Sequence, residues 1–409
     1  MTKLNHIKAK WDIARFFCYA LLTSCLFSRG VFMLYLTHKG LTVAQVGLYQ
    51  MLVQLSMFLL EVPTGSVGDK VGKVHSLQIG TLLLLLHCVL MMALQQPAAL
   101  VALGFLEGMG YTFSSGSDDA LFYELLKFYE LLKKNHQEQD YLQLNARLKS
   151  AQSILTGATI SAGAFIVSWS WEAVYGITAL CLGSALLVLT PLREPAISKP
   201  LPTVGGKGAF SRLRQRILYP NLTAFLLCVI GFSFMDGISG SYYNYNQIIF
   251  QQAQIPVALI GIFFSANYFA ASAAYLFATW LSRWLSKRII LSCMIALQGA
   301  LFASLAFTRQ PALFVAFAFI CCLTPEVVYI LADSIIQTYI ASEYRATILS
   351  AVSMLRSLMS AVSYSVLGGI LDRTGTTGFM LFLALVCIAA LGCFRLIPTY
   401  RQKSQDKSA

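Results

Sequence analysis

Gly65-Ser66-Val67-Gly68-Asp69-Lys70-Val71-Gly72-Lys73-Val74-His75 interrupts two long apolar runs and decides how the rest of the chain is read. Glycines, one acid and several bases stand there at fixed spacing. Two apolar helices joined by so short a piece must turn back sharply at a membrane interface. Glycine supplies the close approach and unusual dihedrals that such a turn needs. The clustered positive charges also fix which side of the bilayer the turn occupies. A plain basic anchor would explain the charges, but neither Asp69 nor the spaced glycines.

The composition around this stretch excludes a soluble domain. Of 409 residues, 57% are hydrophobic and only 12% charged, and mean hydropathy is +0.66, far from soluble averages. Apolar runs of about 20 residues recur, each long enough to cross roughly 30 Å of hydrocarbon. The short alternating segments of a β-barrel do not appear. The fold class is an all-α polytopic membrane protein. The net charge of +12 collects in alternate loops, which is the positive-inside pattern and not a nucleic-acid surface. Ten cysteines, among them Cys18, Cys25, Cys181, Cys293 and the vicinal Cys321-Cys322, lie mostly in apolar segments. No spacing resembles a zinc site, so they read as small buried hydrophobes without disulfides. The first apolar run continues past signal-peptide length and lacks a cleavage site.

Counting apolar stretches gives twelve spans, near 12–36, 43–64, 75–95, 97–123, 148–168, 172–192, 221–244, 257–282, 288–308, 311–336, 347–370 and 376–397. A polar linker, 194–217, carries Pro195, Pro200, Pro202 and the basic run Arg212, Arg214, Arg216. It divides the chain into 1–193 and 218–409. With both termini in the cytoplasm, the outer loops hold only Lys39, Arg309 and Arg373. Trp11, Trp280 and Trp284 then fall at the inner interface, and Trp169 and Trp171 at the outer one. A shift of 214 residues lays Val46-Gly47 on Ile260-Gly261 and Asp119 on Asp333. These matches and the six-plus-six layout support two halves that repeat about the membrane normal.

Gly65 through Lys73 resembles the signature between the second and third helices of the major facilitator superfamily: glycine, three residues, acid, base, one residue, glycine, base. The resemblance covers the whole chain. Glu61-Val62-Pro63-Thr64 and Ser115-Gly116-Ser117 look like a bacterial branch of it. The family implies two six-helix bundles around a central cavity that opens alternately to each side. It implies a cytoplasmic gate of Gly65, Asp69, Lys70, Gly72 and Lys73. Asp69 would contact the inner end of the eleventh helix, and Lys73 would bond Asp119 or Asp118 at the inner end of the fourth. In the second half Arg283 stands where the acid would be, and Asp333 would pair with Arg283 or Arg288. Arg345 and Arg147 either join these clusters or are ordinary positive-inside anchors.

Charges inside the membrane cost a few kcal/mol and normally face protein or a water-filled cavity. Arg29, in the outer half of span one, either lines the cavity or snorkels outward. Arg356, deep in span eleven, pairs with an acid or binds an anionic substrate group. Glu107, Ser114 and Asp118 return to nearly one face of span four. Proton antiporters of the family often carry an arginine and a glutamine where Gly104 and Glu107 stand, which suggests Arg29 as the base paired with Glu107. Asp236 shares a face with Tyr243, one heptad on, in an aromatic cluster with Tyr242 and Tyr245. Glu326 follows Pro325, which frees a backbone carbonyl. Burial favours the neutral form of a carboxyl group, so Asp236, Glu326 and Glu107 are candidates for the proton pathway. A static pair with either arginine is the alternative for each. His87, alone in a peripheral span, reads as a packed residue. The segment 126–146 suits a cytoplasmic helical extension.

These readings converge on a secondary active transporter of a small organic solute. Protons are the expected drive, because no Gly-x4-Gly-Lys-Ser/Thr loop is present and neither ATP nor any cofactor is implied. Two buried arginines favour an anionic or zwitterionic substrate, such as a carboxylate metabolite or siderophore. The buried acids and aromatics leave open an exporter of lipophilic or cationic drugs, although the glycine-proline motif of many antiporters is missing from 150–169. An intramembrane enzyme or a non-transporting receptor is a remote alternative, since no catalytic set converges on facing spans. The expected setting is a bacterial inner membrane, as a monomer with protons and the lipid bilayer as partners.

Overall fold

The computed structural model describes residues 3–128, 137–192, 222–338 and 345–395. The 194–217 linker lies outside the described residues, as do residues 129–136 of the cytoplasmic extension and the side chains of Asp69 and Arg345. Among the described residues there are thirteen helices. The first span is α1 (Lys3–Thr23) with α2 (Phe32–His38). It is followed by α3 (Val43–Val71) and α4 (Lys73–Ala93). The fourth span is α5 (Pro97–Ser114) with α6 (Ser117–Phe128), and α7 (Gln137–Ile166) and α8 (Trp171–Leu189) complete the first bundle. The second bundle holds α9 (Leu222–Gln252), α10 (Val257–Leu281), α11 (Lys287–Phe307), α12 (Pro311–Thr338) and α13 (Arg345–Arg395). Gly375, at φ 66° and ψ −173°, divides α13 into two spanning arms. Twelve spans result, seven of whose helices meet a length and apolarity criterion for crossing a membrane.

Sequence chemistry explains where these helices start and stop. Thr42 caps α3 with a reciprocal box: Gln45 N donates to Thr42 Oγ1 at 3.2 Å, and Thr42 N donates to Gln45 Oε1 at 2.9 Å. Ser170 and Ser286 cap α8 and α11 through the amides of Ala173 and Ile289. The stretch expected to be a loop is mostly helix. Gly65 through Val71 are the last turns of α3, and Gly72 alone, at φ 100°, makes the reversal into α4. That conformation is open to glycine and strained for other residues. The fourth span breaks at Gly116, which has φ +73°.

The first span was expected to be one helix over 12–36, and it is not. It breaks between Ser24 and Val31, where short-range bonds such as Arg29 N to Leu26 O replace the helical ladder. No proline lies in this segment. The break places Arg29 on irregular backbone, which a membrane interior tolerates only where protein or a cavity surrounds it.

The bundles meet most extensively along two seams, α3 against α13 and α7 against α10, and α2 also touches α9. Glycine makes both close. A Cβ on Gly368 would sit 3.1 Å from Gly47 Cα, and one on Gly261 would overlap Ala164. Ser265 Oγ donates to the Gly157 carbonyl at 2.6 Å across the second seam. These contacts run from the middle of the spans toward the side opposite the basic loops. By contrast α1 and α6, at the side carrying the basic loops, pack on helices of their own bundle. Trp11, Trp169, Trp280 and Trp284 are all exposed, as interfacial anchors would be. Cys18 and Cys293 are exposed rather than buried, because a lipid-facing surface is as apolar as a core.

Candidate substrate site and proton pathway

Three cavities of about 420, 350 and 470 Å³ share one residue, Arg29. The first opens among α3, α4, α5 and α8, with Glu107, His87 and Tyr49 in its wall. The second runs along α1 and α7 to Asp118, Asp119 and Lys149 near the basic side. The third lies in the second bundle and holds Asp236, Tyr243, Glu326 and Tyr275. Asn244 and Tyr364 line both the first and the third, so the two bundles contribute to one central space.

Arg29 is enclosed by the bundles, yet its side chain is exposed to this space. Tyr111 and Tyr364 line the first cavity beside it, and Tyr243 and Tyr268 the third. Among the described residues it forms no ion pair. The expected pairing with Glu107 is therefore not made. Glu107 instead accepts from Tyr49 Oη at 2.5 Å and from Tyr111 Oη at 3.1 Å. Tyr49 Oη also lies 2.8 Å from His87 Nε2, which joins acid, phenol and imidazole in a chain. Gly104 and Gly108 explain this approach. A Cβ on either would overlap the α3 backbone at Tyr49 or Val53, so small residues draw α3 onto α5.

The second bundle is neutralised differently. Arg356 holds Asp236 through Nε at 3.0 Å and NH2 at 2.9 Å. Its guanidinium also lies over the rings of Tyr329, at 4.8 Å, and Phe232, at 5.4 Å. Of the two readings for Arg356, the paired one is found. Glu326 has no cation within ion-pair distance among the described residues and accepts from Tyr275 Oη at 2.6 Å. Pro325 frees the Cys321 carbonyl, and Thr324 Oγ1 takes it at 3.0 Å. Tyr243 packs edge-on against Phe264 and faces the third cavity. Tyr242 and Tyr245 are fully buried behind it, so the aromatic cluster is split between wall and core.

At the basic side the partner of Lys73 differs from expectation. Lys73 bonds Glu124, while Lys149 pairs with Asp119 at 2.9 Å and Asp118 at 3.7 Å. Positions 119 and 124 lie about 140° apart around a helix, so α6, re-aimed by Gly116, turns its first acids to α7 and Glu124 to α4. Tyr141 Oη donates weakly to the Asp119 carbonyl at 3.5 Å, and burial together with Asp119 pushes its phenol pKa up. Gly65 and Lys70 lie on the last turns of α3, with Lys70 exposed. Arg283 is exposed in the turn after α10. Asp333 is half-buried beside Ser334, which accepts from Lys287 Nζ at 2.6 Å.

The residues that sequence reasoning missed are mainly phenols and amides. Tyr111 stands four residues from Glu107, a spacing that places both on one helix face and was legible. Tyr49, Tyr275, Lys149 and Gln247 carried no local signal, because each meets its partner across helices.

Similarity to known proteins accords with this geometry. A family model described as the Major Facilitator Superfamily matches residues 15–364. Compared by sequence with curated proteins, the chain has no match. A solved nucleoside transporter, NupG, superposes with TM-score 0.72 at 14% identity, over 98% of this chain and 100% of that one. A D-xylose-proton symporter gives TM-score 0.69 at 11% identity, covering 96% and 98%. The human organic anion transporter MFSD10 gives 0.58 at 12%, covering 94% and 99%. At such identities the superpositions speak to the fold. Because the family model spans most of the sequence, the chain belongs to the major facilitator superfamily and is a multi-pass membrane transporter rather than an enzyme.

Proposed function

We propose that this protein is a secondary active transporter of a small organic solute bearing an anionic group, driven by protons in a bacterial inner membrane. One observation carries the substrate reading. Arg29 stands where three cavities meet and has no acid partner among the described residues, whereas Arg356, also embedded in the membrane, is neutralised by Asp236. An uncompensated cation facing a cavity within the membrane calls for an anion. A carboxylate would find two acceptor oxygens matched to the guanidinium fork. Glu326, with one phenol donor, gives the same space an acceptor for a hydroxyl or ammonium at the solute's other end.

The chain Glu107–Tyr49–His87 is the proposed proton site. With Glu107 ionised, Tyr49 donates to it and His87 Nε2–H donates to Tyr49. With Glu107 protonated, each donor reverses: the acid donates to Tyr49, and Tyr49 to the imidazole, which has shifted tautomer. Protonation therefore needs no ion pair to break. That property separates Glu107 from Asp236. The closed outer seams and the cavity reaching Asp118, Asp119 and Lys149 support an arrangement open toward the basic, cytoplasmic side.

A thermal-shift screen of purified protein against organic anions, benzoate among them, and organic cations tests this reading. Carboxylates should raise the melting temperature of the wild type, and Arg29→Ala should remove that shift. Stabilisation by cations alone, unchanged in Arg29→Ala, would favour the drug-exporter alternative.

A further inference from the structure

We infer that Gln247 is a positioning residue for Arg29: its carboxamide, supplied by the second bundle, is spliced into the first span and holds open the break that presents the guanidinium. In a continuous helix the Met33 amide would donate to the Arg29 carbonyl, four residues earlier. Here Met33 N donates to Gln247 Oε1 at 3.0 Å. Gln247 Nε2 donates to the Arg29 carbonyl at 3.2 Å. One side chain occupies both ends of a missing helical rung.

Insertion of a side chain into the ladder is a known cause of helix interruption, and the usual cause, proline, is missing here. Gln247 is wholly buried, so water cannot replace it. The remainder of the break is supported from within the first bundle. Gln152 Nε2 donates to the Ala20 carbonyl at 3.0 Å, and Thr156 Oγ1 to the Ser24 carbonyl at 3.0 Å. Gly163 leaves room for the Phe27 carbonyl, which a Cβ there would overlap. These supports move with α1 and α2, whereas Gln247 moves with α9.

Alternating access requires the bundles to part on the outer side, and parting withdraws the carboxamide. Met33 N–H and the Arg29 carbonyl then face each other in a water-poor interior, where unpaired backbone groups are costly. The direct rung is the available replacement. Closing it rewinds the span around Arg29 and re-aims its guanidinium. Outer closure and the anion site are thus one equilibrium, and an anion that prefers the presented Arg29 favours the outer-closed arrangement. The effect on anion binding rests on the proposed role of Arg29; the effect on outer closure does not.

The test places paramagnetic labels, through non-canonical amino acids, at Gln95 and Gln310, exposed residues in outer loops of the two bundles. Wild type should give a short inter-label distance. Gln247→Leu should add a longer population and bind benzoate about tenfold more weakly, as loss of two buried hydrogen bonds implies. An unchanged distance in a folded Gln247→Leu protein overturns the inference. Should that variant fail to fold, Gln247→Glu decides. A neutral carboxyl group offers one donor and one acceptor, as the amide does. The Glu variant should therefore match wild type at pH 5 and show more of the longer population than wild type at pH 8. A Glu variant whose distances match wild type at both pH values overturns the inference. If wild type fails to bind benzoate, the role of Arg29 is in question, and the distances still judge the splice.

Discussion

Both bundles place a carboxylate on the central space, and they hold it in different ways. Glu107 is surrounded by phenols, with a histidine one hydrogen bond beyond Tyr49 and, among the described residues, no cation attached. Asp236 is clamped by Arg356, whose plane is itself covered by Tyr329 and Phe232. A carboxylate balanced by hydroxyls can gain a proton while keeping its partners, since each hydroxyl can donate or accept. A carboxylate in an ion pair must abandon an arginine to do so, and leaves a buried charge behind. The same residue type thus serves exchange in one bundle and rigidity in the other.

Several substitutions test that contrast, from the largest effect to the smallest. Asp236→Asn or Arg356→Gln alone should each cost about 2–3 kcal/mol in thermal unfolding in detergent, less than for a fully buried pair because both side chains are part-exposed. The double change should recover most of the loss; additive losses would mean that the pair does not act as a unit. Gly108→Ala should cost about 2 kcal/mol by forcing α3 away from α5. It should also weaken pH-driven uptake with the fold retained, whereas uptake equal to wild type would detach Tyr49 from the pathway. Tyr49→Phe keeps the packing and removes the hydroxyl, so uptake rate should fall about fivefold, near 1 kcal/mol. Tyr275→Phe, beside Glu326, should change affinity for a hydroxyl- or ammonium-bearing carboxylate by about threefold while leaving benzoate binding alone.

The sequence readings succeeded where the governing physics is local. Span positions follow from runs of apolar residues, and the shared face of Asp236 and Tyr243 from their seven-residue spacing. Partner choice is not local. Arg356 meets Asp236 across 120 residues, and Tyr49 meets Glu107 across 58; helix packing decides both. Gly104 stood out in the sequence, with Glu107, as a departure from an antiporter pattern. The effect of Gly104 and Gly108, drawing Tyr49 onto Glu107, depends on which helix lies opposite. The break in span one was not legible, because it comes from Gln247, 218 residues from Arg29. The Lys73 partner was missed for a related reason: Gly116 re-aims α6, which a straight-helix reading of span four cannot show. The gate glycines suggested a loop, while the structure needs only Gly72 to turn.

The most direct test is accumulation of radiolabelled benzoate in proteoliposomes under an imposed pH gradient, compared between Glu107→Gln and Asp236→Asn. The account predicts that Glu107→Gln loses gradient-driven accumulation yet still exchanges benzoate at equilibrium. Asp236→Asn, if less stable, should keep its response to the gradient. Gradient-driven accumulation that survives in Glu107→Gln and disappears in Asp236→Asn would contradict it.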